Sequence, residues 1–426
     1  MNRSTAGPLR SLRTTAVVTA LAVTVPLAAA TTAEARTEPS DAVIAWNVHA
    51  QTAIYENARQ PPTTAARSFA VVQGAVYDAV NAIAGSPYEP LVTAPRSRRG
   101  DSTPAAVAAA AHDVLLWMFP AQEESLDAQY DEALAAVPDG RAERGGVAVG
   151  EAAAAAMIDS RRDDGFDPAA PWPVGAEPGD WRPTPPGYIG VGAWTPFLKP
   201  FVIRDAGDYP VKPPPALTSA AWARDLNEVK AVGSAGSTVR TQDQKEAAIW
   251  WDDPRQVEWA IGRQLATTHG LGALQTARML AMVYVTAIDA LIPCYAAKLR
   301  YSLWRPVTAI PLAGTDGNPA TGPEEGWTPL RGTAPSPEYP SGHACFTTAT
   351  MAALRVFFGR DDVSFGAASA DSGTTRHFDS LAAAAREVQG ARIWAGVHYR
   401  SAVEEGDILG REVARDVLDR AFVRRR

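Results

Sequence analysis

Cysteine and histidine are scarce in this chain, with two of the first and six of the second among 426 residues. No CxxC pair, HExxH helix, GxxxxGK[ST] loop or GxSxG turn occurs, so zinc hydrolase, nucleoside triphosphatase and α/β-hydrolase chemistry lack their usual residues. Excess positive charge is missing as well: 40 Lys and Arg stand against 47 Asp and Glu, a formal charge of −7. That balance argues against broad nucleic-acid binding, and any anion site has to be a local basic cluster working against the global field. Strand signals and repeats of fixed period are lacking too, and no apolar span near 20 residues is expected after the first 35 residues, which argues against membrane insertion.

What the chain has in quantity is alanine-rich sequence with apolar residues at helical spacing. The first residues carry Arg3, Arg10 and Arg13, an apolar run, and then Ala33-Glu34-Ala35, the pattern of a secretory signal peptide over residues 1–35. Its removal takes away a net +2 and lowers the charge from −7 to −9. A secreted, extracellular location follows as the expectation. An N-terminal region, 42–162, reads as helices around 42–58, 66–84, 103–118, 122–136 and 141–162. Phe69, Val72, Val76 and Val80 form one apolar stripe there. Residues 163–217 turn rich in proline and tryptophan, a connecting segment too long for an idle loop. The C-terminal region, 218–426, supplies helices near 217–231, 241–251, 255–268, 271–301, 344–358, 379–394 and 401–422, so the fold class is mainly α.

Three C-terminal segments hold chemistry. In AAKLRYSLWRP, Lys298 and Arg305 are seven apart, which on a continuous helix puts both on one face about 10 Å apart along the axis, with Pro306 ending the helix. In PEYPSGHA, Pro340 fixes the approach to a turn, Ser341 offers a hydroxyl, and Gly342 bares a backbone N–H where a helix begins. Free amides and the positive end of the helix dipole there suit an oxyanion, and His343 at the rim is expected to exchange a proton near neutral pH. In ARIWAGVHYRSAVEEG, Arg392 and His398 flank Gly396, where the chain is expected to turn and bring both inward. Taken singly, the first segment is better explained by a solvated basic face and the third by a core histidine, whereas a helix cap explains Ser341 but leaves the Pro-Ser-Gly-His order to chance.

In this order and spacing, the three segments resemble the tripartite signature of the superfamily that joins vanadium-dependent haloperoxidases and type 2 phosphatidic acid phosphatases. WNVHAQTAIYENARQPPTTAARSFAVVQGAVYDAVNAI and RTQDQKEAAIWW resemble its bacterial secreted haloperoxidase-like branch. The resemblance implies a helical bundle of that superfamily type and vanadate as cofactor. Lys298, Arg305 and Arg392 would compensate the oxyanion charge, and Ser341 and Gly342 would complete the cage. His398 would be the vanadium ligand and His343 the acid–base residue, with Lys298 assisting catalysis. The implied partners are hydrogen peroxide and a halide or small organic substrate, and the dimers common in the family leave a homodimer open. The alternative is a secreted acid phosphatase acting through a phosphohistidine on His398.

Two departures bear on that choice. Ala402 stands where the phosphatases usually have an acidic residue four positions after the histidine, which leaves Glu404, Glu405 or Asp407 to orient His398 and favours vanadate. Ser336 stands where haloperoxidases often have an aromatic residue or histidine near the halide, which favours bromide over chloride. His377 and Trp304 are candidates for the pocket wall. Cys294 lies one turn before Lys298 and Cys345 two residues after His343, so the fold decides between a disulfide and two buried thiols.

Overall fold

The computed structural model describes residues 41–252 and 259–425, so the signal-peptide segment and the start of the helix expected at 255 lie outside the described residues. Small polar residues start five of the helices. Ser102, Ser219, Ser341 and Ser380 each accept a backbone N–H of the first turn of helices α3 (Thr103–Met118), α6 (Ala220–Gly233), α11 (Gly342–Phe358) and α12 (Leu381–Trp394). Thr241 and Gln244 form a reciprocal capping box at α7 (Gln242–Trp250). The other helices are α1 (Asp41–Gln51), α2 (Pro62–Ile83), α4 (Glu123–Ala135), α5 (Arg141–Arg161), α8 (Ile261–Thr268), α9 (Ala273–Tyr301), the short α10 (Pro306–Ala309) and α13 (Arg400–Arg420).

Helix α9 is the axis of the fold. It packs against α2 on the N-terminal side and against α11 and α13 on the C-terminal side, while α2, α3 and α5 pack together. Contrary to the sequence expectation, α9 is long and apolar enough to cross a membrane. Some 94% of its most apolar window is buried inside the protein, so the bundle supplies the apolar surroundings that the sequence demands. On the far side of α11, Gly406 and Gly410 bring α13 close. A Cβ at these positions would fall 2.7 Å from the carbonyl of Ser341 and 2.6 Å from that of Cys345.

The 163–217 segment is tied to α9 by one buried carboxylate. Asp289 accepts the backbone N–H groups of Phe201, Val202 and Ile203 at 2.8, 2.7 and 3.0 Å. The segment's Trp181 N–H then donates to Ser302 just past α9, and its Val191 N–H to Pro335. A two-stranded antiparallel hairpin, β1 (Phe365–Ser369) and β2 (Thr374–Phe378), pairs Phe365 with Phe378 and was not legible in the sequence. His377 lies exposed on β2 and not in a pocket wall. Trp304 is fully buried and stacks on Trp222, so it too belongs to the core.

Candidate active site

The long helix stops earlier than the Lys298–Arg305 spacing assumed. Tyr301 is its last residue, Ser302 adopts φ +41 in the left-handed region, and Arg305 becomes the residue before α10. The two cations therefore converge through a chain reversal and not along one helix face. Lys298 Nζ donates to the carbonyls of Pro337 and Glu338 at 2.7 and 3.1 Å, which fixes the turn before α11. Arg305 holds the same turn from its other side, through Nε to the Ser336 carbonyl at 2.8 Å and Nη2 to Ser336 Oγ at 3.2 Å.

From α11 come Ser341, Gly342 and His343. Ser341 Oγ caps the helix by accepting the Ala344 N–H, and its own N–H donates to Ala402. The first amides of the helix, those of Gly342 and His343, have no intrahelical acceptor by geometry. A Cβ on Gly342 would lie 3.5 Å from the Tyr295 ring and 3.9 Å from the Lys298 side chain. No clash forbids it, so the missing side chain leaves open space beside the bare amide.

Between α12 and α13 the chain must reverse within five residues. Gly396 does this with φ +80, and a Cβ there would strike the Gly233 carbonyl at 2.4 Å. Arg392, in the last turn of α12, and His398, just before α13, are both buried as a result. Arg392 Nη1 pairs with Asp252 Oδ1 at 2.8 Å, and its buried Nε has no partner among the described residues.

His398 is oriented by Glu338, a residue the sequence reading passed over inside the PEYPSGHA turn. Glu338 Oε1 lies 2.8 Å from His398 Nδ1 and also accepts the Tyr399 N–H at 2.9 Å. That fixes the proton on Nδ1 and leaves Nε2 with a free electron pair, against which Arg305 Nη1 sits at 3.0 Å. The carboxylates expected to take this role are engaged elsewhere: Glu405 accepts the Lys212 N–H, Asp407 pairs with Thr348 and Arg411, and Glu404 is exposed. With Glu338 in place, the preference for vanadate drawn from Ala402 loses its ground. Asp252 was missed for a different reason: nothing local marks it, because its partners Arg392 and Arg331 come from distant parts of the chain.

Lys298, Arg305, Gly342, His343 and His398 line one cavity of about 310 Å³, while Ser341 and Arg392 are not among its lining residues. Ser336 shares the polar part of this lining. The remainder is mostly apolar, with Pro61, Pro62, Val191, Trp251, Leu291, Tyr295, Pro335 and Phe346.

Crowding of buried cations sets the electrostatics. Burial, reinforced by Arg305, lowers the Lys298 ammonium to about 8, and burial lowers Arg305 to about 10 against the pull of Glu338. Burial raises the Glu338 carboxyl to about 7 despite Arg305 beside it. Burial alone would raise Asp252, but Arg392 and Arg331 outweigh it and hold that carboxyl below its ordinary range. His343 is pulled down to about 3 by burial and then Arg392, with Asp252 opposing. Contrary to the sequence expectation, its ring is therefore neutral throughout the physiological range. His398 is held well below its ordinary value by burial, Arg305 and Lys298.

The unfilled need of this site is negative charge with several acceptor oxygens. Buried cations held below their ordinary pKa, bare amides at a helix N-terminus, an unpartnered Arg392 Nε and an imidazole with a directed electron pair all fit a tetrahedral oxyanion. Fold and site together define a helical-bundle protein built round a buried cavity lined by cationic and histidine side chains. Residues 278–424 match the family described as "VCPO second helical-bundle domain". The chain is similar to the solved structure of a bacterial vanadium-dependent iodoperoxidase at 25% identity, with a TM-score of 0.77 over 91% of this chain and 98% of that one. It also shares the fold of a bacterial vanadium-dependent chloroperoxidase. The apo form is 17% identical over 84% of this chain and 94% of that one, the holo form 18% over 86% and 93%, each with a TM-score of 0.67. No curated sequence gives a significant match. The match over residues 278–424 and the likeness to the iodoperoxidase structure make this a vanadium haloperoxidase-like chain and indicate an enzyme of that class.

Proposed function

We propose that this chain is a vanadate-dependent haloperoxidase that uses hydrogen peroxide to oxidise bromide or iodide in preference to chloride. The observation that carries the reading is the convergence of Lys298, Arg305, Gly342, His343 and His398 on one cavity. Bound vanadate would supply a Lewis acid that polarises hydrogen peroxide without changing its own oxidation state. Lys298, Arg305 and Arg392 compensate the oxyanion charge, the Gly342 amide adds a directed donor, and His398 presents Nε2 as the ligand atom. Glu338 keeps that atom unprotonated by holding the proton on Nδ1. His343 handles the proton of the incoming peroxide at its ring. Its basicity grows as the site fills, because an oxyanion opposes the cation field that helps to hold the ring near 3.

Ser336 supports the halide order. Its hydroxyl and carbonyl are taken up by Arg305, so it brings no aromatic or imidazole group to the halide, and chloride is the hardest of the three halides to oxidise. The similarity to an iodoperoxidase points the same way. The apolar remainder of the cavity favours an apolar organic compound as halogen acceptor. With the leader expected over residues 1–35, the enzyme is proposed to act outside the cytoplasm.

One observation favours a second reading. The Glu338–His398 pair would activate a nucleophile as well as orient a ligand, so a phosphomonoesterase acting through His398 uses the same cage. Metal-stripped protein assayed for oxidation of iodide, bromide and chloride and for p-nitrophenyl phosphate hydrolysis, with and without orthovanadate, decides. Halide oxidation that requires vanadate supports the proposal, whereas ester hydrolysis that vanadate only inhibits replaces it with the phosphatase.

A further inference from the structure

Cys294 and Cys345 are the chain's only cysteines. Cys294 sits on α9 one turn before Lys298, and Cys345 on α11 two residues after His343. Both are fully buried thiols, and their sulfurs lie 2.6 Å apart where the two helices pack. The stretch they bracket, 51 residues from one sulfur to the other, contains Lys298, Arg305, Glu338, Gly342 and His343. Of the site residues expected from the sequence, only Arg392 and His398 lie outside that stretch.

We propose that hydrogen peroxide joins Cys294 and Cys345 in a disulfide that closes the loop carrying the oxyanion site. The first sulfur attacks one peroxide oxygen: an S–O bond forms, the O–O bond breaks, and the departing hydroxide takes a proton to become water. The second sulfur then attacks the resulting sulfenic sulfur: the S–S bond forms, the S–O bond breaks, and a second water leaves with the remaining thiol proton. Two thiols are oxidised by two electrons and one peroxide is reduced by two.

Access comes from the site itself. Tyr295 and Phe346, the neighbours of the two cysteines on their helices, both line the cavity that the peroxide would occupy. Burial holds the Cys345 thiol well above its ordinary value, so little thiolate forms, bond formation is slow, and a closed bond resists exchange with external thiols. The bond fixes α9 against α11 at the level where Lys298 and His343 face the same cavity, and it removes two oxidisable thiols from beside a source of oxidant.

The inference needs peroxide but neither vanadate nor halide, so it stands or falls separately from the haloperoxidase reading. Full-length protein purified under reducing conditions would be treated with hydrogen peroxide alone, unfolded in guanidinium with N-ethylmaleimide, and digested for mass spectrometry. The expected result is a Cys294–Cys345 cross-linked peptide without maleimide adducts. For a loop of this length in a chain of this size, reduction is expected to lower Tm by about 5 °C. The double variant Cys294→Ala/Cys345→Ala is expected to show no response of Tm to reductant, and Cys294→Ala alone to collect oxygen on Cys345 in place of a cross-link. Two maleimide-labelled cysteines after peroxide treatment, or sulfinic and sulfonic acids in the unsubstituted protein, would overturn the proposal.

Discussion

Anion affinity should fall as pH rises through the titration of Lys298. In the free site, burial and Arg305 lower this ammonium from the ordinary lysine value of 10.5 to about 8. An oxyanion placed beside it restores at least the ordinary value, so above pH 8 binding must take up a proton. The difference is worth about 3.4 kcal/mol at 1.36 kcal/mol per pH unit, so the full loss is at least a few hundredfold, approached at up to tenfold per pH unit. Phosphate is the suitable probe because its charge is constant above pH 8. Isothermal titration from pH 8 to 9.5, in buffers of different ionisation enthalpy, reads affinity and proton uptake together. Lys298→Met should weaken phosphate at pH 7 on the order of 10²-fold and flatten the slope. An affinity independent of pH over this range, or the same slope in Lys298→Met, would refute the reasoning. The shift also acts on folding. Between pH 8 and 10.5 the unfolded chain keeps a proton that the folded chain has released, so this group makes the folded state more stable as pH rises through that window.

Three further outcomes follow from the same geometry. Glu338→Ala releases the His398 tautomer and orphans the Tyr399 N–H, and it should raise the vanadate concentration needed for half-reconstitution by about 10- to 100-fold, measured by direct vanadate binding as well as by bromide oxidation. His343 should show ring resonances that stay those of neutral imidazole from pH 8 to 5 in phosphate-free protein, because its proton is taken up only near 3. The unfolded ring takes its proton near 6.5, so this residue makes the folded state less stable as pH falls from 6.5 towards 3, and urea unfolding at pH 7 and 5 checks the sign. Asp289→Asn keeps the shape but loses acceptors for the three amides at 201–203, and it should cost about 1–3 kcal/mol in urea unfolding and expose the 163–217 segment to proteolysis first.

Much of the candidate site was legible because its residues lie in three short segments whose meaning is local. A proline, a serine and a glycine before a helix announce bare amides whatever the rest of the chain does, and Gly396 between Arg392 and His398 announces a reversal. The helices were legible for the same reason, since periodic apolar residues and capping side chains act within a turn or two. The chain path beyond the helix end expected at 301 was not: Ser302 turns the chain with φ +41, no proline or glycine marks that residue, and Lys298 and Arg305 do not share one helix.

The sequence by itself determined the helical elements, the cation and histidine set and the family resemblance, because each rests on residues adjacent along the chain. Tertiary structure alone decided which carboxylate orients His398, since Glu338 and His398 are 60 positions apart and meet only when the turn before α11 docks on the start of α13. It decided likewise that Asp252 steadies Arg392, that α9 is a core helix and that the two cysteines are neighbours. The protonation states belong to it as well. A lysine lowered to about 8 and a histidine lowered to about 3 are consequences of burying cations close together, and burial depends on the whole fold and not on any segment of it.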